Sequence, residues 1–535
     1  MNLSMLLHVS SLVACAVADP TWPSNIDELE EIMFQVTSFR SRKFSATVSP
    51  CGSEVSGPGR QNAAEWLRTA FHDMATADTS SGTGGLDASI QYELNSGENA
   101  GPGLRTTLEF MVPFLSKRSS MSDLIALGVY TSVRSCGGPA VAIRAGRKDS
   151  MKKGKTGVPQ PQDSVPTFQQ RFERMGFTHE EAIQVTACGH TLGGVHRAEF
   201  ADIVPRGSAT NGLAALDSST AVFDNRVVTE YLNGTTKNPL VVGPAVRINK
   251  QSDFKLFNSD SNRTMERLAD KNEFRQACKT VLQKMIDTVP AGIELTSPIM
   301  PYKVKPVNLQ LTLENGGSNL LLTGFIRVQT TSLPDDSIDS ITIIYKNREG
   351  RSACSSRPCS ITATTHRQSR GYDNIFAFFP IKARIPVSSG ISSFVVTVNY
   401  AKGGPKLYDN NGKEYRLRDA VFLQKPQSCL QGSSGKLTVV AAVRNDRLSE
   451  STRATISYKA PQSDSPIPAL RSVTIDLVKG NRVGQYTFFS GEYTIKGGLA
   501  DESHVDVSNG DMSDSFKRVN EIGGTCAPFA RSSSP

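Results

Sequence analysis

The apolar residues of this chain change period once, near Ser297, and that change constrains the fold more than any single motif. Before it, apolar side chains recur at helical spacing. Leu29, Ile32 and Met33 mark a helix over 27–40, and further helices are expected over 61–74, 106–115, 122–135, 167–174 and 260–289. Thr178, with Glu181 three residues on, is a capping box that opens another helix ending near Gly189. After Ser297 come short, often alternating runs at 307–313, 320–329, 340–345, 375–379, 394–400, 437–443, 454–458, 473–477 and 485–489. Gly, Asn, Asp, Pro and Ser separate them, which is the pattern of an all-β sandwich. A chain of 535 residues is too long for one ordinary domain. The expectation is a multidomain chain, mainly α-helical over 19–296 and sandwich-like over 297–430 and 431–535, with the β part dividing near Gln427 to Ser434.

The first residues set the compartment. An apolar run from Leu6 to Val17 and the small-x-small triplet Ala16-Val17-Ala18 predict a signal peptide over 1–18 and a secreted, extracellular protein. Its removal takes Cys15 and leaves eight cysteines, an even number that favours disulfides outside the cell. Asn233-Gly234-Thr235 and Asn262-Arg263-Thr264 are candidate glycosylation sites. No later stretch reaches about twenty apolar residues, so no transmembrane segment is expected. The net charge of +8 is spread along the chain, with Lys152-Lys153-Gly154-Lys155 as its short basic run. A nucleic-acid partner needs a concentrated basic face, so none is expected.

Two stretches carry chemistry. In Glu65-Trp66-Leu67-Arg68-Thr69-Ala70-Phe71-His72-Asp73, Arg68 and His72 are four apart and share one helix face. A neutral imidazole beside a permanent guanidinium is a general base next to an anion stabiliser. The second stretch, Cys188-Gly189-His190-Thr191-Leu192-Gly193-Gly194, places a histidine at a helix end before glycines that admit a flat ligand. Alone, the first reads equally well as a surface helix with an ordinary His and Arg, and the second reads better as a glycine-terminated helix with a structural His. Together they resemble the distal and proximal motifs of the plant, fungal and bacterial haem peroxidase superfamily: Arg68-x-x-Phe71-His72-Asp73 and Gly189-His190-Thr191. The resemblance covers about 45–290. Phe71 stands where intracellular members carry Trp, so the secreted fungal members are the nearer match.

The resemblance implies haem b, with His190 as axial ligand to the iron. It implies that Asp260, in Phe257-Asn258-Ser259-Asp260, accepts the hydrogen bond from the other ring nitrogen of His190 and makes the imidazole more electron-donating. Asn99 matches the distal Asn that orients His72, with Asn95 as a second candidate. His72 would take a proton from hydrogen peroxide and return it to the departing oxygen, while Arg68 stabilises the developing charge. Two donor molecules would then each give up one electron. Two calcium ions are implied as well. Asp73, Gly85, Asp87 and Ser89 match one site, and Thr191, Asp217, Ser219, the Val222 carbonyl and Asp224 match the other, with Ser219 where Thr is usual. Cys51 with Cys136 resembles a family disulfide. Cys188 and Cys278 are paired by remainder, and the pairing of Cys354, Cys359, Cys429 and Cys526 stays open.

Departures from the family bear on substrate. Manganese-oxidising members carry acids seven and three before the distal Arg and six after the proximal His; here those positions hold Gln61, Glu65 and His196. Lignin-type members use a surface Trp just before the proximal His, where this chain has Val185. The expected donors are therefore small phenols or similar molecules at the haem edge. The alternatives are a manganese- or lignin-type peroxidase with an unrecognised surface site, and a non-catalytic extracellular binding or wall protein. The β-rich region lies outside the resemblance; binding a wall polysaccharide or another partner is its expected role, and stabilising the enzyme is the alternative.

Overall fold

The computed structural model describes residues 19–334, 337–354 and 357–530. The signal run 1–18 with Cys15, and the serine-rich tail 531–535, lie outside them. Helices fill the first half: α1 (Asp27–Phe34), α2 (Asn62–Met74), α3 (Gly103–Met111), α4 (Met121–Ser135), α5 (Val165–Arg174), α6 (His179–Gly189), α7 (Arg226–Leu232), α8 (Pro244–Arg247), α9 (Ser252–Phe257), α10 (Arg263–Leu268) and α11 (Lys271–Asp287). The capping box opens α6 with both of its hydrogen bonds, Thr178 to the Glu181 amide and Glu181 back to Thr178. The stretch expected as one helix over 260–289 is two, because the Asp270 carboxylate caps a new start at Asn272 and Glu273.

α2 is amphipathic. Ala63, Trp66, Leu67, Ala70 and Met74 are buried in the helical core, and Trp66 packs among Phe44 and Phe110. That spacing leaves Ala64, Arg68, Phe71 and His72 on a second face, which lines a cavity. Cys188–Cys278 ties α6 to α11, and Cys51–Cys136 ties the loop before α2 to the end of α4.

The second half is antiparallel sheet. One sheet joins Val304–Leu313, Asn319–Gln329, Ile375–Pro386 and Arg367–Arg370; it faces another built on Ile338–Lys346, Ser360–Ala363 and Ser393–Tyr400 across one apolar core. A second pair of sheets follows around its own core, one built on Val421–Leu423, Lys436–Arg444 and Tyr486–Thr494, the other on Thr452–Ala460, Ala469–Asp476 and His504–Asn509. Val421–Leu423 and Cys429–Gln431 both pair with Lys436–Arg444, so the chain changes sheet partners before Val421, earlier than 430/431. Cys354–Cys359 and Cys429–Cys526 close the two parts.

The halves interlock. α1 stops at Phe34 instead of running to Arg40, because Thr37–Ser38 leaves the helix to become the edge strand beside Arg367–Arg370. The acidic face of α1 enters the first sandwich. Glu30 pairs with Arg327, both fully buried, and with Lys305 Nζ at 2.9 Å, while the Tyr302 hydroxyl donates to Asp27 at 2.7 Å. Val307, Phe376, Phe378 and Ile467 of the β half belong to the helical core.

Candidate active site

A cavity of about 540 Å³ opens between α2 and the end of α6, with His72 and His190 both in its lining. Gly193 permits the approach of its two walls: φ is +80°, and a Cβ there would come within 2.7 Å of Ala64 Cβ on α2. On the α2 side, His72 Nδ1 lies 2.7 Å from Asn99 Oδ1, and Asn99 Nδ2 donates to the Glu93 carbonyl at 3.0 Å. That second bond fixes the amide orientation, so His72 carries its proton on Nδ1 and keeps Nε2 as a lone pair. Burial, and then the Arg68 charge, push the His72 pKa down to about 3, against the Asn99 bond. The imidazole is therefore neutral at ordinary pH and able to act as a base. Arg68 Nη2 donates to the Ala100 carbonyl at 3.0 Å, and Phe71 lines the cavity while packing on Phe172.

On the opposite side, the His190 carboxylate partner is Asp253, not Asp260. His190 Nδ1 is 2.9 Å from Asp253 Oδ2, and Asp253 is fully buried on α9. Asn238 Nδ2 donates to the same oxygen at 2.8 Å. Asp260 instead accepts from the Thr264 amide and hydroxyl at 2.9 and 2.6 Å, which holds the first turn of α10. Both aspartates follow a serine, seven residues apart, and α9 is the element that reaches the histidine. Burial acts to lower the His190 pKa, but the charge and hydrogen bond of Asp253 outweigh it and raise it. With Nδ1 committed, Nε2 is the nitrogen free to bind iron, and 34% of the His190 side chain remains open. A cavity between two histidines, one of them carboxylate-anchored, fits a haem held by His190.

The two calcium-type loops also assemble. Asp73 is fully buried beneath the loop carrying Asp87 and Ser89; its carboxylate accepts from the Ala88 and Ile90 amides at 2.8 and 3.0 Å. Burial, followed by the Asp87 charge, raises its pKa well above the usual carboxylate range. Gly85 has φ +111°, and a Cβ there would meet the Thr288 carbonyl at 2.6 Å, so the loop passes tightly beneath α11. In the second loop Ser219 Oγ donates to Asp224 Oδ1 at 2.9 Å, and Thr191 Oγ1 donates to the Asp224 carbonyl at 2.6 Å. Asp217 Oδ2 is buried with no hydrogen-bond partner, and burial with the Asp224 and Glu230 charges pushes this carboxyl up to about 7. The Val222 amide donates to the Ser219 carbonyl at 3.0 Å. Crowded, buried carboxylates with hydroxyl and carbonyl oxygens beside them fit a hard cation, although in the second loop Arg226 Nε also lies 3.9 Å from Asp224. Among the described residues, no three His, Cys, Asp or Glu side chains converge to hold a metal, so each loop would draw on these other oxygens.

The positions compared with manganese-oxidising members do not form an acidic cluster. Gln61 Nε2 donates to the Cys51 and Thr220 carbonyls, and Glu65 is held by Arg60 at 2.7 Å. His196 lines the cavity mouth with Glu65 and with Glu199, an acid that the sequence motifs did not single out. Val185 is buried, Trp66 is buried in the core, and Trp22 packs against Tyr415.

Comparison with known proteins bears on the family. The family described as Peroxidase matches residues 52–272. A WSC domain-containing protein of Arthroderma benhamiae is 44% identical over 536 residues, covering 98% of this chain and 72% of that protein. The probable L-ascorbate peroxidase 4, peroxisomal, of Oryza sativa subsp. japonica is 30% identical over 177 residues, 32% of this chain and 57% of its own length. Manganese peroxidase H4 of Phanerodontia chrysosporium is 29% identical over 221 residues, 37% of this chain and 55% of its own length. The chain thus spans little more than half of these two peroxidases, while the likeness to the WSC domain-containing protein runs through the β half. The chain belongs to the plant, fungal and bacterial haem peroxidase superfamily, oxidoreductases that take hydrogen peroxide as electron acceptor.

Proposed function

We propose that this protein is a secreted haem peroxidase that oxidises small phenolic or similar donors in one-electron steps. The observation that carries the reading is the pair of histidines across one cavity, each oriented by its own partner: His72 by Asn99, His190 by Asp253. Haem b, held by His190, supplies the redox chemistry when bound. The chain's residues do the rest. His72 Nε2 takes a proton from peroxide and returns it to the departing oxygen, so that water leaves. Arg68, anchored on Ala100, offers positive charge to that oxygen as the O–O bond breaks. Phe71 and Phe172 keep this part of the wall apolar. The two loops around Asp73 and Asp217 hold calcium and brace the segments bearing His72 and His190. Secretion is supported by the signal-like start and by eight cysteines paired as four disulfides. Among the described residues, no helix is long and apolar enough to cross a membrane. The β half is read as the part that engages an extracellular polysaccharide.

Haem-loaded wild type and His72→Ala, assayed with peroxide and either a phenol or Mn(II), test the reading. The phenol should be oxidised faster than Mn(II), and the substitution should lower the rate with peroxide by about 10²–10⁴-fold while haem is retained. An unchanged rate removes His72 as the base, and preferred oxidation of Mn(II) replaces the phenolic reading.

A further inference from the structure

A second concavity, of about 610 Å³, lies between the helical half and the second sandwich and shares no lining residue with the haem cavity. One wall comes from 115–120 and 145–151, the other from Gln462 and 467–471. The walls are fixed to each other. Ile467 belongs to the helical core, Ser465 Oγ donates to Gln91 at 2.9 Å, and Lys459 Nζ donates to the Val112 carbonyl at 2.5 Å.

The charges in this cleft are unbalanced. Its carboxylates are Asp123 and Asp149, and both are committed. Asp123 accepts from the Gly146 and Arg147 amides and from buried Arg147; Asp149 accepts from the Met121 and Ser122 amides and the Ser122 hydroxyl. Lys117 is paired with Asp506. Arg118, Lys148 and Arg471 also line the cleft, and among the described residues none of them pairs with a carboxylate. Arg118 is held in place by stacking its guanidinium over Phe516, 4.3 Å from the ring centroid. Lys148 and Arg471 are exposed, as are Lys152 and Lys153 of the basic run beyond the lip. A half-buried Tyr92 ring also lines the cleft, while the side chains of Ser116, Ser120 and Gln462 are committed to Ser119, the Asp123 amide and the Ile467 carbonyl.

We propose that this cleft binds a segment of an acidic polysaccharide. Its carboxylate or sulfate groups meet Arg118, Lys148 and Arg471, and the polymer leaves along Lys152 and Lys153. Guanidinium and ammonium groups recognise the anions. The inference rests on the reading of the β half as a polysaccharide-binding part and gives it a location and a ligand charge. Binding here would hold the enzyme on an anionic matrix with the haem cavity left open.

The test uses the full-length haem protein in affinity electrophoresis through polygalacturonate, dextran sulfate, neutral β-glucan or duplex DNA. The double variant Lys148→Glu/Arg471→Glu is compared with Lys279→Glu, a charge reversal on the exposed face of α11. At least one acidic polysaccharide should retard the wild type, the double variant should lose about tenfold or more in affinity, and the α11 variant should match the wild type. Which polymer binds, polygalacturonate or dextran sulfate, identifies the anion as carboxylate or sulfate. Peroxide-dependent oxidation of a small phenol should be equal in all three proteins. Equal loss in both variants, or equal binding of DNA, overturns the proposal. Binding of β-glucan alone, unaffected by either variant, overturns the cleft and leaves the polysaccharide reading of the β half standing. Binding of no polysaccharide overturns both.

Discussion

At the scale of single residues, the site depends on which carboxylate reaches His190. Asp253 does so from the first turn of α9, fully buried and shared with Asn238. Arg68 and His72 were legible in the sequence because spacing on one helix fixes their shared face, whereas Phe71 and Asn99 came from the family resemblance. The proximal aspartate was not legible, because the chain offers two Ser-Asp pairs, Ser252-Asp253 and Ser259-Asp260, and spacing does not say which one folds back. Asp253→Ala should weaken haem retention or turnover by about 10–100-fold, since the imidazole loses its orienting acceptor. Asp260→Ala should cost only its hydrogen bonds to α10, about 1 kcal/mol of stability, with haem binding unchanged. Haem titration of the two variants checks this, and the reverse ranking would return the role to Asp260.

At the scale of elements, the calcium-type loops and α1 carry the stability argument. The family resemblance is what grouped Asp73 with Asp87 and Asp217 with Asp224 in advance. Their burial could not be read in advance, and it is burial that raises the Asp73 and Asp217 carboxyls. Chelation should lower the melting temperature and the peroxidase rate together, and added Ca²⁺ should restore both; a chelated protein unchanged in both respects would mean the loops stand without metal. In the sequence, α1 is marked by Leu29, Ile32 and Met33, and its acids have no assigned role. In the fold it is the joint between the halves, since Glu30 answers buried Arg327 and Lys305. Glu30→Ala strands buried Arg327, while Lys305 keeps Asp27 and Glu31, and should cost about 3–5 kcal/mol. Thermal unfolding measures it, and a change near zero would show that the ion pairs do not hold the joint.

At the scale of the whole molecule, the change of period near Ser297 separated helical from β structure correctly in kind. It did not show that the two share a core. Thr37–Ser38 pairs with a strand more than three hundred residues away, and Phe376, Phe378 and Ile467 pack into the helical half. Such long-range pairing leaves no local pattern. For the same reason the change of sheet partners before Val421 was expected later, in the turn-rich stretch that follows. The shared core means the β half supports the catalytic half as well as extending it, and the cleft between them exists only in the joined molecule. The central claim is nevertheless about one cavity: that His190 and His72 enclose a haem. The absorption spectrum of the purified, haem-loaded chain, with and without hydrogen peroxide, tests it most directly. The account predicts a Soret band that shifts when peroxide is added, and its loss in His190→Ala. A chain that takes up no haem, or a band unchanged by peroxide, would contradict it.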